Sequence, residues 1–208
     1  RQVVNYIDNA VIFHHEPYAS SACEMTAELI QYFPGIDKLQ SYYADVMLAG
    51  IMLDTKDFVM RTGVRTFEAA AFLRKLGADM VAVKNLFANT MACIQKRSKL
   101  IADAEIYKRC AIAVDDTADE YIRVASAQAA DQMLEIVGVD ASFVIFRIPT
   151  GVNISARSLG AMNVQIIMEK LGGGGHQTMA AAQLNDVRVT EAKAELISAI
   201  DEYIQNIS

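Results

Sequence analysis

Four glycines in a row, Gly172 to Gly175, followed at once by His176, mark a place where this chain cannot continue a helix. Glycine is the poorest helix former after proline and reaches positive φ without a Cβ penalty, so the segment has to turn, loop or begin a strand. Before it, Asn163 to Leu171 has the spacing of a short helix; after it, Met179 to Leu184 is a small-residue strand candidate. Glycines between a helix and a strand can turn successive N–H groups into one concavity that accepts phosphate oxygens, with His176 placed to donate to a phosphate or a leaving group. The same run can equally be a flexible helix end beside a surface histidine, since it matches neither the Walker nor the dinucleotide-binding fingerprint.

Upstream, Ser142 to Ile148 and Gly151 to Arg157 read as two strands joined by a turn at Pro149-Thr150-Gly151. The second alternates, with Val152, Ile154 and Ala156 to one side and Asn153, Ser155 and Arg157 to the other. Ser158 follows Arg157 directly. A guanidinium fits phosphate with a forked set of donors, although an arginine at such a position is also an ordinary solvated charge.

Asp54 closes the apolar run Leu48 to Leu53, where a carboxylate is costly unless it caps backbone N–H groups or binds a cation. A single carboxylate cannot hold a catalytic metal, so further ligands would have to come from elsewhere. His14-His15 is not a metal site on this pattern, because adjacent side chains of a strand point to opposite faces and Phe13 precedes the pair. The 10 methionines fall at core positions.

A formal charge of −6 and an isoelectric point near 5.1 argue against a broad phosphate-neutralising surface for duplex nucleic acid, while leaving room for a local anion pocket. The longest uncharged run, Leu171 to Asn185, spans 15 residues and contains the four glycines, too short and too flexible to cross a bilayer. Cys23, Cys93 and Cys110 form neither a disulfide framework nor a metal knuckle, which fits a reducing cytoplasm. The chain opens on Arg1 without the features of a signal peptide, and is read as part of a longer protein.

Along the chain, an extended start over Val3 to Phe13 gives a short strand at Ala10 to His14. Ser21 to Glu24 matches a capping box for a helix ended by Pro34-Gly35, and Asp37 is expected to cap the next helix, which runs into the segment before Asp54. Thr66 to Leu76, Asp79 to Phe87 and about Thr90 to Ile106 read as further helices, the first ended by Gly77. Cys110 to Val114 reads as a strand, Glu120 to Val137 as a helix, and Thr190 to Gln205 as a final amphipathic helix. The expected architecture is α/β in two domains, a largely helical one over residues 1–108 and a smaller, complete α/β one over 109–208.

Together these segments resemble the DHH and DHH-associated phosphoesterase superfamily, most closely the cytoplasmic catalytic part of the bacterial membrane-anchored cyclic di-AMP phosphodiesterases. The likeness rests on Glu16 to Ser21, Leu48 to Lys56, Arg61 to Phe67, Ile154 to Gly160, Asn163 to Met168 and Gly172 to His176, and covers nearly the whole chain. It implies a DHH-associated substrate-binding domain in 109–208 and the later part of a metal-binding DHH domain in 1–108. It further implies two Mn²⁺ ions with Asp54 as a catalytic metal ligand, and substrate contacts from Arg157, Ser158, Gly173, Gly174, Gly175 and His176. The family's N-terminal ligand segments and its Asp-His-His motif are absent, with Arg1 falling just after the place of that motif.

The implied activity of the intact protein is hydrolysis of cyclic di-AMP, a second messenger, to linear diadenylate; this chain alone is expected to be inactive. No membrane contact is expected within it, and a homodimer is compatible with the likeness. Hydrolysis of linear dinucleotides or short oligoribonucleotides uses the same motifs, and a non-catalytic nucleotide-binding module is the alternative of a different class.

Overall fold

The protein is described here from a computed structural model, which describes residues 9–207. The chain forms two compact units, residues 1–88 and 89–208.

The described part of the first unit contains helices and no strand: α1 (Ala22–Ile30), α2 (Ser41–Thr55), α3 (Val64–Lys75) and α4 (Met80–Leu86). Ser21 caps α1 by accepting from the Glu24 backbone N–H at 3.0 Å. The reciprocal half of the expected box is displaced by one residue, because the Glu24 carboxylate accepts from the N–H and hydroxyl of Ser20. Thr66 Oγ1 accepts from Gly63 N–H at the start of α3, and Asp79 caps α4 through Val81 N–H. The core packs Ala27 of α1 with Ala44, Leu48 and Ile51 of α2, Ala69 and Leu73 of α3, and Val83 of α4. Gly50 is where α1 and α2 come close, and the sulfur of Cys23 fills the space of its missing side chain.

The second unit is a mixed sheet of six strands with helices on both faces. Helix α5 (Met91–Ala102) is followed by β1 (Glu105–Tyr107), β2 (Cys110–Asp115), α6 (Ile122–Met133), β3 (Ala141–Ile148), β4 (Gly151–Ser158), α7 (Val164–Lys170), β5 (Gly174–His176), β6 (Met179–Asn185) and α8 (Val189–Ile207). Strand order is β1-β2-β3-β4-β6-β5, with β2 and β3 parallel across the α6 crossover and the other neighbours antiparallel. Phe143, Ile145, Ile154, Ala156, Ala180 and Ala182 face α7 and α8 and pack on Ile167, Met168, Leu196 and Ile200. On the opposite face α5 and α6 bury Ala111, Ala113, Val144 and Phe146 of β2 and β3. That cover does not continue over β6, whose residues on this face, Met179, Ala181 and Gln183, are exposed.

Several expectations are corrected. Residues 10–14 are not a strand: Val11 and Ile12 are solvent-exposed, and the described residues of the first unit include no strand to pair with them. Residues 3–8 of the expected extended start, with Arg1, lie outside the described residues. Asp37 does not cap α2; it sits inside a 3₁₀ turn, Ile36–Lys38, and α2 begins after Gln40 without a side-chain cap. Helix α5 stops at Ala102, because Lys108 and Arg109 take positive φ (46° and 64°) and fold Glu105–Tyr107 back as β1 against β2. Helix α6 is shorter at both ends than expected. In the compact units, which divide at 88/89, α5 is grouped with the sheet it covers.

Candidate functional site

The ladder of the sheet sets the geometry of the second unit's open face. In antiparallel strands, directly paired residues share a face, and residues two apart along a strand do too. Arg157 pairs with Met179, which pairs with His176; Ser155 pairs with Ala181, which pairs with Gly174; Asn153 pairs with Gln183. Three strands thus carry on one face a row of Arg157, Met179 and His176, then a low row of Ser155, Ala181 and Gly174, then two amides.

Arg157 is held rather than solvated, with only 12% of its side chain exposed. Its Nε lies 3.2 Å from Oδ1 of Asp131 on α6, and its Nη1 donates to the carbonyl of Ala156 at 2.9 Å. The Nε–Asp131 contact does not have hydrogen-bond geometry, so a buried donor of this guanidinium is unsatisfied. Asp131 carried no sequence signal, since nothing in the spacing of α6 places it against a strand residue 26 positions later.

The glycine run does not form one continuous concavity. Gly172 (φ 72°) ends α7: its N–H donates to Glu169 O at 3.0 Å, and Gly173 N–H donates to Met168 O at 2.8 Å, the paired bonds of a Schellman motif. The Gly173 N–H is therefore spent on the helix. A Cβ on Gly173 would fall 2.2 Å from Ala181 O, and one on Gly175 (φ 151°) 2.4 Å from Met179 O, so both glycines are required by the closeness of β5 to β6. Gly174 differs: a Cβ there would meet nothing within 4 Å, and it faces the low row of Ser155 and Ala181. Since β5 is the outermost strand, its outer backbone groups have no strand partner. His176 is exposed at the end of β5.

Ser158 has a different place from the one expected. It is 2% exposed and on the opposite face from Arg157, donating to Met162 O at 2.6 Å and accepting from Gly160 N–H at 3.2 Å. Its hydroxyl pins the loop between β4 and α7.

Asp54 lies in the first unit, exposed in the last turn of α2. A helix end presents carbonyls, not N–H groups, so the capping role open to an Asp on sequence grounds has no donors here, and the helix dipole disfavours a carboxylate at this end. The chain leaves α2 through three successive left-handed residues, Lys56, Asp57 and Phe58 (φ 50°, 54° and 65°). Buried Thr55 secures this turn: its hydroxyl donates to Ile51 O at 2.7 Å and accepts from Phe58 N–H at 3.0 Å, while Phe58 stacks on Phe67. Burial raises the Cys23 thiol above its usual range, and the negative charge of Asp54 raises it further.

No group of three His, Cys, Asp or Glu side chains able to hold a metal occurs among the described residues. The described residues therefore do not make a metal centre by themselves; Asp54 is one donor without companions. No helix among them is long and apolar enough to cross a membrane.

Comparison with known proteins matches residues 107–206 to the DHHA1 domain family. The chain is 47% identical over 205 residues to the cyclic-di-AMP phosphodiesterase PdeA of Listeria monocytogenes, covering 98% of this chain and 31% of that protein. It is 49% identical over 207 residues to the cyclic-di-AMP phosphodiesterase GdpP of Geobacillus thermodenitrificans, covering 99% of this chain and 32% of that protein. The chain thus spans about a third of the length of these relatives. Among solved structures, an exopolyphosphatase-related protein from Bacteroides fragilis shares the fold, with a TM-score of 0.82 at 19% identity, over 97% of this chain and 62% of that one.

Proposed function

Because this chain belongs to the DHH and DHH-associated phosphoesterase superfamily, with its DHHA1 domain at residues 107–206, we propose that it is the substrate-presenting part of a phosphodiesterase that hydrolyses cyclic di-AMP to linear diadenylate. The observation that carries this reading is the placement of Arg157, Gly174 and His176 on one open sheet face. Arg157, held in place against Asp131, supplies the fixed positive charge for a phosphate. Gly174 keeps the neighbouring surface low enough for the phosphate to reach backbone N–H groups, and His176 can donate to a non-bridging oxygen. Gly173, Gly175 and Ser158 shape this face from behind without touching the ligand.

Asp54 is this chain's contribution to a divalent-metal site, read as a two-manganese site, whose other ligands are not among the described residues. Bound there, such ions would supply a hydroxide nucleophile at neutral pH. The 208-residue chain on its own is accordingly expected to bind nucleotide without turning it over. In the intact protein this part belongs on the cytoplasmic side of a membrane anchor, where cyclic di-AMP serves as a second messenger.

The test compares the full-length protein with its Asp54→Asn and Arg157→Ala variants on cyclic di-AMP with Mn²⁺, together with nucleotide titration of the 208-residue chain. Loss of turnover in both variants, with nucleotide affinity kept only in Asp54→Asn, supports the division of roles. Turnover by the 208-residue chain at the full-length rate overturns it. Linear diadenylate cleaved in preference to the cyclic substrate favours a linear-dinucleotide phosphodiesterase, and binding with no turnover at full length favours a non-catalytic module.

A further inference from the structure

We propose that Asn153 and Gln183 read the base of the bound nucleotide and give this face its preference for a 6-amino purine. The proposal rests on the nucleotide-binding reading of the same face. Asn153 and Gln183 are direct partners in the β4–β6 ladder, so their side chains stand together on the open face. Arg157 lies on the same face four residues along β4, roughly 13 Å away at the rise of an extended strand. Between them stands the row of Ser155, Ala181 and Gly174, no member of which rises above a hydroxymethyl group. A phosphate held at Arg157 leaves its sugar and base only this low track, and the track ends at the two amides.

The hydrogen-bonding state of the amides decides what they can read. Asn153 is half-buried, and its side chain makes no hydrogen bond among the described residues, so one acceptor and two donors are unspent. Gln183 is already committed: its Nε2 donates to Thr150 Oγ1 and to Asn185 Oδ1, each at 3.2 Å. Both of its N–H donors are used, and Oε1 remains as an acceptor. Adenine presents a 6-amino donor beside the N7 acceptor, which matches an acceptor next to an amide that can donate. Guanine presents two acceptors on the same edge and sets its O6 against Gln183 Oε1.

Calorimetric titration of the 208-residue chain with AMP, GMP and ribose 5-phosphate tests the proposal, using the native chain, Asn153→Ala and Gln183→Ala. Both substitutions lie on the open face, and circular dichroism checks the fold. The native chain should favour AMP over GMP. Each variant should lose about tenfold in AMP affinity, hold ribose 5-phosphate as before, and bring the AMP-to-GMP ratio toward one. Equal losses for AMP and ribose 5-phosphate, or an unchanged AMP-to-GMP ratio, overturn the base-reading role. Native binding of all three ligands with no preference among them overturns it while leaving the phosphate site standing; no binding of any of them overturns the nucleotide reading itself.

Discussion

Nε of Arg157 stands 3.2 Å from Oδ1 of Asp131, a contact that ties the polar edge of a strand to a helix and holds the guanidinium in place before any ligand arrives. Fixing a long side chain beforehand lowers the entropy cost of binding. It also means that the charge of Arg157 is partly offset in the free protein.

Arg157→Ala should therefore weaken AMP binding about tenfold or more, the loss of one charge-assisted donor, while lowering stability by only about 1 kcal/mol. The stability loss stays small because Asp131, about one-third exposed, can be rehydrated when its partner is removed. Titration beside thermal unfolding separates the two effects; unchanged AMP affinity in a folded variant would place the phosphate elsewhere.

The glycine run should divide by role. Gly174→Ala meets open space and should change stability by less than about 0.5 kcal/mol, yet weaken AMP binding by raising the floor of the face. Gly175→Ala would press a Cβ against the Met179 carbonyl at a φ of 151°, and should cost about 2 kcal/mol or more with detachment of β5. Amide hydrogen exchange at 174–181 reads the second outcome directly.

Gly50 and Cys23 should show strong coupling. A Cβ on Gly50 would fall 2.3 Å from Cys23 Sγ, so Gly50→Ala should destabilise by about 1–3 kcal/mol through overpacking of α1 on α2. In a Cys23→Ala background, where the nearest atom to the new Cβ is the residue-23 Cβ at 3.3 Å, most of that cost should disappear, because alanine's gain in helix propensity offsets the remaining tight contact. Additive effects in a denaturant double-mutant cycle would refute the contact.

Asp54 can be probed through its neighbour without any enzymatic assay. Its charge helps hold the Cys23 thiol protonated, so Asp54→Asn should lower the pKa of Cys23 and speed its alkylation on the alkaline side of neutrality. Cys93 and Cys110 are buried, and burial, with a smaller push from Asp140, moves the Cys110 thiol up to about 12, so labelling reports Cys23.

Acid should weaken the second unit through Asp115. Burial works to raise this carboxyl, but hydrogen bonds from Lys96 and Thr117 outweigh it and hold the group below its ordinary value of 3.8. A group depressed in the folded state stabilises fully above that ordinary value, and the contribution is lost as pH falls through the lower folded value. Asp115→Asn should thus flatten the loss of melting temperature below about pH 4. Lys96→Met should cost about 3 kcal/mol at neutral pH by stranding a largely buried carboxylate.

Strand alternation made much of the site legible: Val152, Ile154 and Ala156 inward, Asn153, Ser155 and Arg157 outward, as found. Caps at Ser21 and Asp79 gave helix starts because each has a short polar side chain at the right offset. The separate duties of the four glycines were not legible. They depend on how close β5 runs to β6 and on which carbonyls of α7 need a donor, both set by tertiary packing. Nor was the Arg157–Asp131 contact, which joins elements across the sheet. Strand β1 was masked by helix-like residues, and only the left-handed pair Lys108-Arg109 turns that stretch around.

The second unit covers one side of its sheet with α7 and α8, and the other over β2, β3 and the Arg157 end of β4, leaving β6 and β5 bare there. Within this unit, a ligand arriving over β6 and β5 has no helix to displace, so capture needs no opening step and release none either. Residence time then depends on a few polar groups, and substitutions among them should alter how long a nucleotide stays far more than how fast it lands.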